Sequence, residues 1–231
     1  MTNLPRILAP VAAGGALALA LAGCVPVPWA PVGPRVSEDR DIESVESVLL
    51  RTSGDLTITV GDEPALTITA PDGTMDRLTS EIVDGVLVLD RVGPGFGFRM
   101  GDVDYELTLP RVSEIGVDGS GDVEADFTGA EDIRIDISGS GDVEGTGIDA
   151  ASVRTVIDGS GEIELSGRAD EQTIEIAGSG DVIADELETT TARVEIDGSG
   201  DVAVWVTGTL RIDVSGSGDV RHHGGAEVTY A

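Results

Sequence analysis

The sequence predicts an all-β protein, a right-handed single-stranded parallel β-helix (a β-solenoid) with coils of about 20 residues, and three observations predict it. A turn motif recurs: Gly-Ser-Gly-Asp begins at Gly119, Gly139, Gly178, Gly198 and Gly216, and Gly159 begins Gly-Ser-Gly-Glu, so that successive starts lie 20, 20, 19, 20 and 18 residues apart. Self-similarity at such a period marks stacked repeats. The flanks repeat too. Two positions before each first glycine stands Val117, Ile137, Ile157, Ile176, Ile196 or Val214, and directly after each acid stands Val123, Val143, Ile163, Val182, Val202 or Val220. Finally, aromatic residues make up only 3% of the chain against 32 glycines, so a core must be built from thin layers of aliphatic side chains.

Four positions before the glycines the series is Ile115, Ile135, Thr155, Ile174, Val194 and Ile212. Apolar residues therefore alternate up to each turn, which is the period of a strand with one buried face and excludes helix. Gly-Ser-Gly supplies residues that tolerate positive φ and close backbone approach, and the acid that follows can accept hydrogen bonds from N–H groups of its own turn. Stacking equivalent positions at about 4.8 Å lets six coils rise about 29 Å and bury ladders of identical β-branched side chains. Handedness follows from the right-handed rule for parallel crossovers. A β-sandwich or meander also fits short strands at this spacing. Hairpins, however, do not demand the same residue at the same place in every repeat.

Taken in chain order, residues 1–23 read as a signal peptide: Arg6, an apolar run from Ile7 to Ala22, and no acid before Glu38. The run is shorter than the roughly 20 apolar residues of a spanning helix. Leu21-Ala22-Gly23-Cys24 resembles the lipobox of bacterial lipoproteins, which implies cleavage before Cys24 and acylation of its thiol and amine. Cys24 is the single cysteine, so no intramolecular disulfide can form. Residues 24–41 form a Pro-rich linker whose first ten residues, if extended, hold the domain roughly 30 Å from the bilayer. Residues 42–111 carry β patterning without the crisp motif, as in Leu56–Val60, Leu66–Ala70, Val86–Leu89 and Tyr105–Leu109, and read as degenerate coils or a separate domain. Thr52-Ser53-Gly54-Asp55 looks like a worn copy of the corner. Phe96 and Phe98 lie in a glycine-rich loop and read as a cap over an open coil. Residues 112–231 hold the regular coils.

Net charge is −29, from 43 acids against 14 bases, all of them arginine. Nucleic acid is a poor partner for such a surface, and anionic lipid headgroups repel it, so attachment to a membrane needs the lipid on Cys24. Arg134, Arg154, Arg193 and Arg211 form one predicted outer column, beside Asp136, Glu175, Glu195 and Asp213, which permits pairing between coils. Asp122, Asp142, Glu162, Asp181, Asp201 and Asp219 form another. Neighbours in such a column repel by about 0.9 kcal/mol at the dielectric of water. Turn N–H groups, outward splay or a bound cation such as calcium relieves it; the first two are expected, because the motif is not the nonapeptide calcium repeat. No other cofactor is expected.

An active site occurs once, but this polar motif occurs in every coil, so the serines read as scaffold and no enzyme is expected. His222 and His223 are adjacent on a strand and point to opposite faces, which disfavours a metal pair.

The strand–Gly-Ser-Gly-Asp–strand unit over about residues 42–228 resembles the autotransporter-adhesin head domain family, also called GIN domains. The resemblance implies a β-helical fold and an exported, envelope location, often on a lipoprotein. The combined expectation is a non-enzymatic, adhesin-like module, lipid-anchored on the outer side of the cytoplasmic membrane or beyond, whose partner is an unspecified envelope or extracellular macromolecule. Two alternatives stand beside it: a β-helix enzyme acting on carbohydrate, and an envelope-stress or signalling accessory.

Overall fold

The computed structural model describes residues 33–93 and 101–231. The signal segment, Cys24, the linker up to residue 32, and Phe96 and Phe98 lie outside the described residues. In chain order the strands are β1 (Arg35–Arg40), β2 (Ser47–Leu50), β3 (Asp55–Val60), β4 (Ala65–Pro71), β5 (Leu78–Val83), β6 (Val86–Arg91), β7 (Asp104–Leu109) and β8 (Glu114–Gly119). They continue as β9 (Val123–Asp126), β10 (Asp132–Gly139), β11 (Val143–Gly159), β12 (Glu162–Gly178), β13 (Asp181–Gly198), β14 (Val202–Gly216), β15 (Val220–His223) and β16 (Glu227–Tyr230). One helical turn, α1 (Asp72–Met75), separates β4 from β5.

From β8 onward the chain is a β-solenoid of stacked parallel coils. Residues pair with their counterparts one repeat away: Ile135 with Ile115 and Thr155, Ile174 with Thr155 and Val194, and Val194 with Ile212. Corner glycines stack likewise, Gly139 on Gly119 and Gly198 on Gly178. The aliphatic ladders fill the interior. Ile115, Ile135, Ile157, Ile174, Ile176 and Val194 are all essentially inaccessible, and burial of each contributes on the order of 1.5–3 kcal/mol. Three rungs are polar, Thr155, Gln172 and Thr189: the Thr189 hydroxyl donates to the Trp205 carbonyl at 3.0 Å, whereas the Thr155 hydroxyl and both amide atoms of Gln172 have no hydrogen-bond partner among the described residues.

The corners explain why the motif is Gly-Ser-Gly. The first glycine of each has positive φ, from +132° at Gly178 to +148° at Gly198. A Cβ on Gly139, Gly159 or Gly198 would overlap the carbonyl oxygen of the glycine one coil below. That contact brings the serine N–H of each coil onto the same carbonyl: Ser140 donates to Gly119, Ser160 to Gly139, Ser179 to Gly159, Ser199 to Gly178 and Ser217 to Gly198, each at 2.8 Å.

Residues 42–111 are not a plain series of worn coils. β2 pairs in parallel with β8, and β3 with β9, so these strands lie in line with the regular stack. Beyond them β7 pairs with β4 and β4 with β1, all antiparallel, while β5 and β6 form an antiparallel hairpin. Its turn is Asp84-Gly85, with φ of +52° and +86°, the two-residue connection whose twist matches antiparallel strands.

Candidate functional site

The carboxylate column predicted from the repeat is present, and it is longer than predicted. Strand register places Asp142 over Asp122, Glu162 over Asp142, Asp181 over Glu162, Asp201 over Asp181 and Asp219 over Asp201. Below Asp122 the row continues through Asp55, from the worn corner, to Asp104. Both additions were missed in the sequence. Asp55 stood in a recognisable Thr-Ser-Gly-Asp, but Asp104 follows no glycine corner and enters the row only because β7 pairs with β3.

The carboxylates do not cap their own turns, as the sequence reading had it; four of them reach one coil along the stack. Asp122 Oδ1 accepts the backbone N–H of Asp142 at 3.1 Å, Asp142 Oδ1 that of Glu162 at 2.9 Å, Asp181 Oδ1 that of Asp201 at 2.7 Å, and Asp201 Oδ1 that of Asp219 at 3.0 Å. The parallel spacing of about 4.8 Å puts the next coil's N–H within reach of a short side chain. One link is broken. At Glu162 the side chain is a methylene longer and the coil one residue shorter, and the N–H of Asp181 instead donates to the carbonyl of Gly161 at 3.0 Å. At the other end the Asp104 carboxylate pairs with Arg35.

The electrostatics follow this wiring. Among the described residues, Asp55 and Glu162 do not accept the next coil's N–H, and both titrate above the ordinary carboxylate value. Burial is the largest cause for each, followed for Asp55 by the charges of Asp122 and Asp104, and for Glu162 by those of Asp142 and Asp181. A folded-state value above the unfolded one means that the folded chain holds these protons more tightly. Stability then falls as pH rises through that window and recovers as pH is lowered through it. An Asp55→Asn, Glu162→Gln double variant is expected to melt at a higher temperature than wild type at pH 7. The gap should narrow on acidification into the carboxylate range, and thermal melts across that range check it.

The backbone link can be tested at Asp201, which is half-buried. Asp201→Ala removes the acceptor for Asp219 N–H and is expected to lower stability by about 1 kcal/mol, whereas Asp201→Asn keeps the acceptor and should stay within about 0.5 kcal/mol of wild type. Urea titrations of the three proteins measure the difference.

The row is one carboxylate wide. Among the described residues no group of three or more His, Cys, Asp or Glu side chains is gathered as a metal site. The serines of the corners are all exposed, and register places them in a column of their own. His222 and His223 stand in register with Val204 and Trp205 on opposite faces of β15, and the His223 ring stacks on Trp205 with centroids 5.2 Å apart. The arginine column pairs both along and between strands. Arg134 meets Asp136 at 2.5 Å and Arg193 meets Glu195 at 2.9 Å within their own strands, while Arg154 reaches Glu175 of the next coil at 2.6 Å. These pairs are substantially exposed and worth about 0–1 kcal/mol each. No helix among the described residues is long and apolar enough to cross a membrane.

Comparison with known proteins places this architecture. The sequence family described as "Putative auto-transporter adhesin, head GIN domain" matches residues 46–226. No curated protein matches. Among solved structures, one from Parabacteroides distasonis ATCC 8503 described as a putative lipid binding protein superposes with a TM-score of 0.71 at 22% identity, covering 86% of this chain and 93% of that one. A putative adhesin from Bacteroides fragilis NCTC 9343 gives 0.69 at 18% identity over 86% and 97%, and one from Parabacteroides merdae ATCC 43184 gives 0.65 at 18% over 86% and 92%. At these identities the structures speak for the fold. The family match spans most of the stack, corners included, and the chain belongs to the auto-transporter adhesin head GIN domain family.

Proposed function

We propose that the chain is a non-enzymatic, adhesin-like surface module of the cell envelope, exported and tethered to a membrane through an acylated Cys24, with residues 24–34 as spacer; the expected linker to residue 41 is too long, because Arg35–Arg40 is strand β1, paired with β4. The observation that carries this reading is the use made of the repeated polar motif. The backbone N–H groups of its serines bond the coil below and four of its carboxylates accept a backbone N–H of the coil above, so the motif serves to join coils. What is left for partners is the outer surface: flat strand faces with a large excess of acid. The family's description as an adhesin head agrees with a contact role.

A fatty-acid analogue fed to cells expressing the full chain is expected to label wild type and not Cys24→Ala. Equal labelling of the two would remove the tether. Contact is tested separately, by capture from envelope extracts with the Cys24→Ala protein; recovery of nothing beyond what an unrelated acidic protein recovers would remove the surface-binding role.

A further inference from the structure

We infer that the β5–β6 hairpin is a docking site for an extended peptide in which basic and apolar residues alternate, added as a further strand along the open edge of β5. Among the described residues β5 has a strand partner on one side only, β6, and so ends its sheet. The opposite end strand, β1, carries four charged residues in six, Arg35, Glu38, Asp39 and Arg40, the usual guard against edge-to-edge pairing. β5 carries one, Glu81, in Leu78-Thr79-Ser80-Glu81-Ile82-Val83. Of the five large apolar side chains that remain exposed among the described residues, three belong to this hairpin or its end: Ile82 at 39%, Val83 at 50% and Val92 at 56%.

Beside the edge lies a groove of about 380 Å³ on the outer face of β2, β6 and β5, within the size range of ligand sites. Leu49, Val83, Val86 and Val88 give it an apolar lining. Charge at the rim selects what can lie across it: Glu81, Asp84 and Asp90 face a single guanidinium, Arg51. Arg51 is itself already shared between Asp90 at 3.8 Å and Asp118 at 3.7 Å. A side chain with a long aliphatic stem and a cationic head, lysine or arginine, matches both parts, its stem on the valines and its head at the carboxylates. Backbone pairing with β5 supplies the affinity and the alternate side chains the choice of partner, as in other strand-addition modes.

This inference names the partner chemistry for the surface-module reading and rests on it. Its test does not involve the tether or envelope capture, so either can fail alone. The probe is a fluorescein-labelled hexapeptide of alternating valine and lysine, titrated with the full chain and followed by fluorescence anisotropy. Saturable binding is expected. Val83→Lys, which puts a cation in the groove and on the edge, should weaken it at least about tenfold, while Thr190→Lys on distant β13, with the same change in net charge, should alter it less than about twofold. A peptide methylated on alternate backbone nitrogens should lose binding because it cannot pair with the edge. Equal weakening by the two lysine variants would assign binding to the diffuse negative field and overturn the site. Undiminished binding of the methylated peptide would overturn strand addition.

Discussion

Gly159→Ala is expected to destabilise the domain by roughly 3–5 kcal/mol or to prevent its folding, while Gly129→Ala is expected to cost only about 1–2 kcal/mol. Both glycines have positive φ, +144° and +84°, so both substitutions force an L side chain into a disfavoured backbone region. They differ in what the new methyl group meets. At Gly129 nothing lies within 4 Å; at Gly159 the Cβ would overlap the Gly139 carbonyl oxygen, with the Gly139 carbonyl carbon at 3.0 Å. Backbone cannot swing aside as the end of a side chain can. To relieve the overlap the two coils must separate at the corner, which breaks the 2.8 Å bond from Ser160 N–H to Gly139 and loosens the adjoining rungs Ile157 on Ile137 and Ile163 on Val143. Denaturant titration of the two variants beside wild type gives the comparison. Losses of equal size would mean that dihedral preference alone accounts for the glycines and that coil contact at the corner is looser than described.

That contrast shows which parts of the fold could be read from the sequence. The corner glycines and the β-branched rungs were legible because stacking imposes the same requirement on every coil: Gly139, Gly159 and Gly198 meet the same obstacle, so the same residue recurs. The end of the stack below β2 and β3 is built differently. There Asp84-Gly85 carried a hairpin signal in a stretch read as worn coils, and the strands at the end close by antiparallel pairing, which leaves no 20-residue period to detect. The carboxylate row was half-legible for the same reason. Six members follow a glycine corner and were found; Asp104 is placed by register between strands distant in sequence, and no local pattern announces it. The direction of the hydrogen bonds was also invisible, because it depends on the gap between coils and not on the turn's own conformation.

Gln172→Leu is expected to raise stability by about 1–3 kcal/mol, and Thr155→Val to raise it by a smaller amount. Six positions before the corner glycines the buried column runs Ile133, Val153, Gln172, Ala192 and Leu210, and the amide is its single polar member. Gln172 is wholly inaccessible, and among the described residues neither its Oε1 nor its Nε2 has a hydrogen-bond partner. A buried polar group without a partner retains its full desolvation penalty, whereas an aliphatic group of similar volume gains from the same burial. The small Ala192 on the next rung leaves room for a branched side chain, so overpacking should not reverse the sign. Thr155 lies one inward position along the neighbouring strand, and its hydroxyl is likewise unpartnered, but it is one polar atom against the two of the amide, hence the smaller gain. The two sites are close enough to couple, so the double variant need not equal the sum of the singles. Equilibrium urea unfolding of the four proteins decides the matter. A loss of stability in Gln172→Leu would mean that the amide is hydrogen-bonded inside the solenoid, and the interior would then contain a polar link at this rung instead of an unpartnered amide.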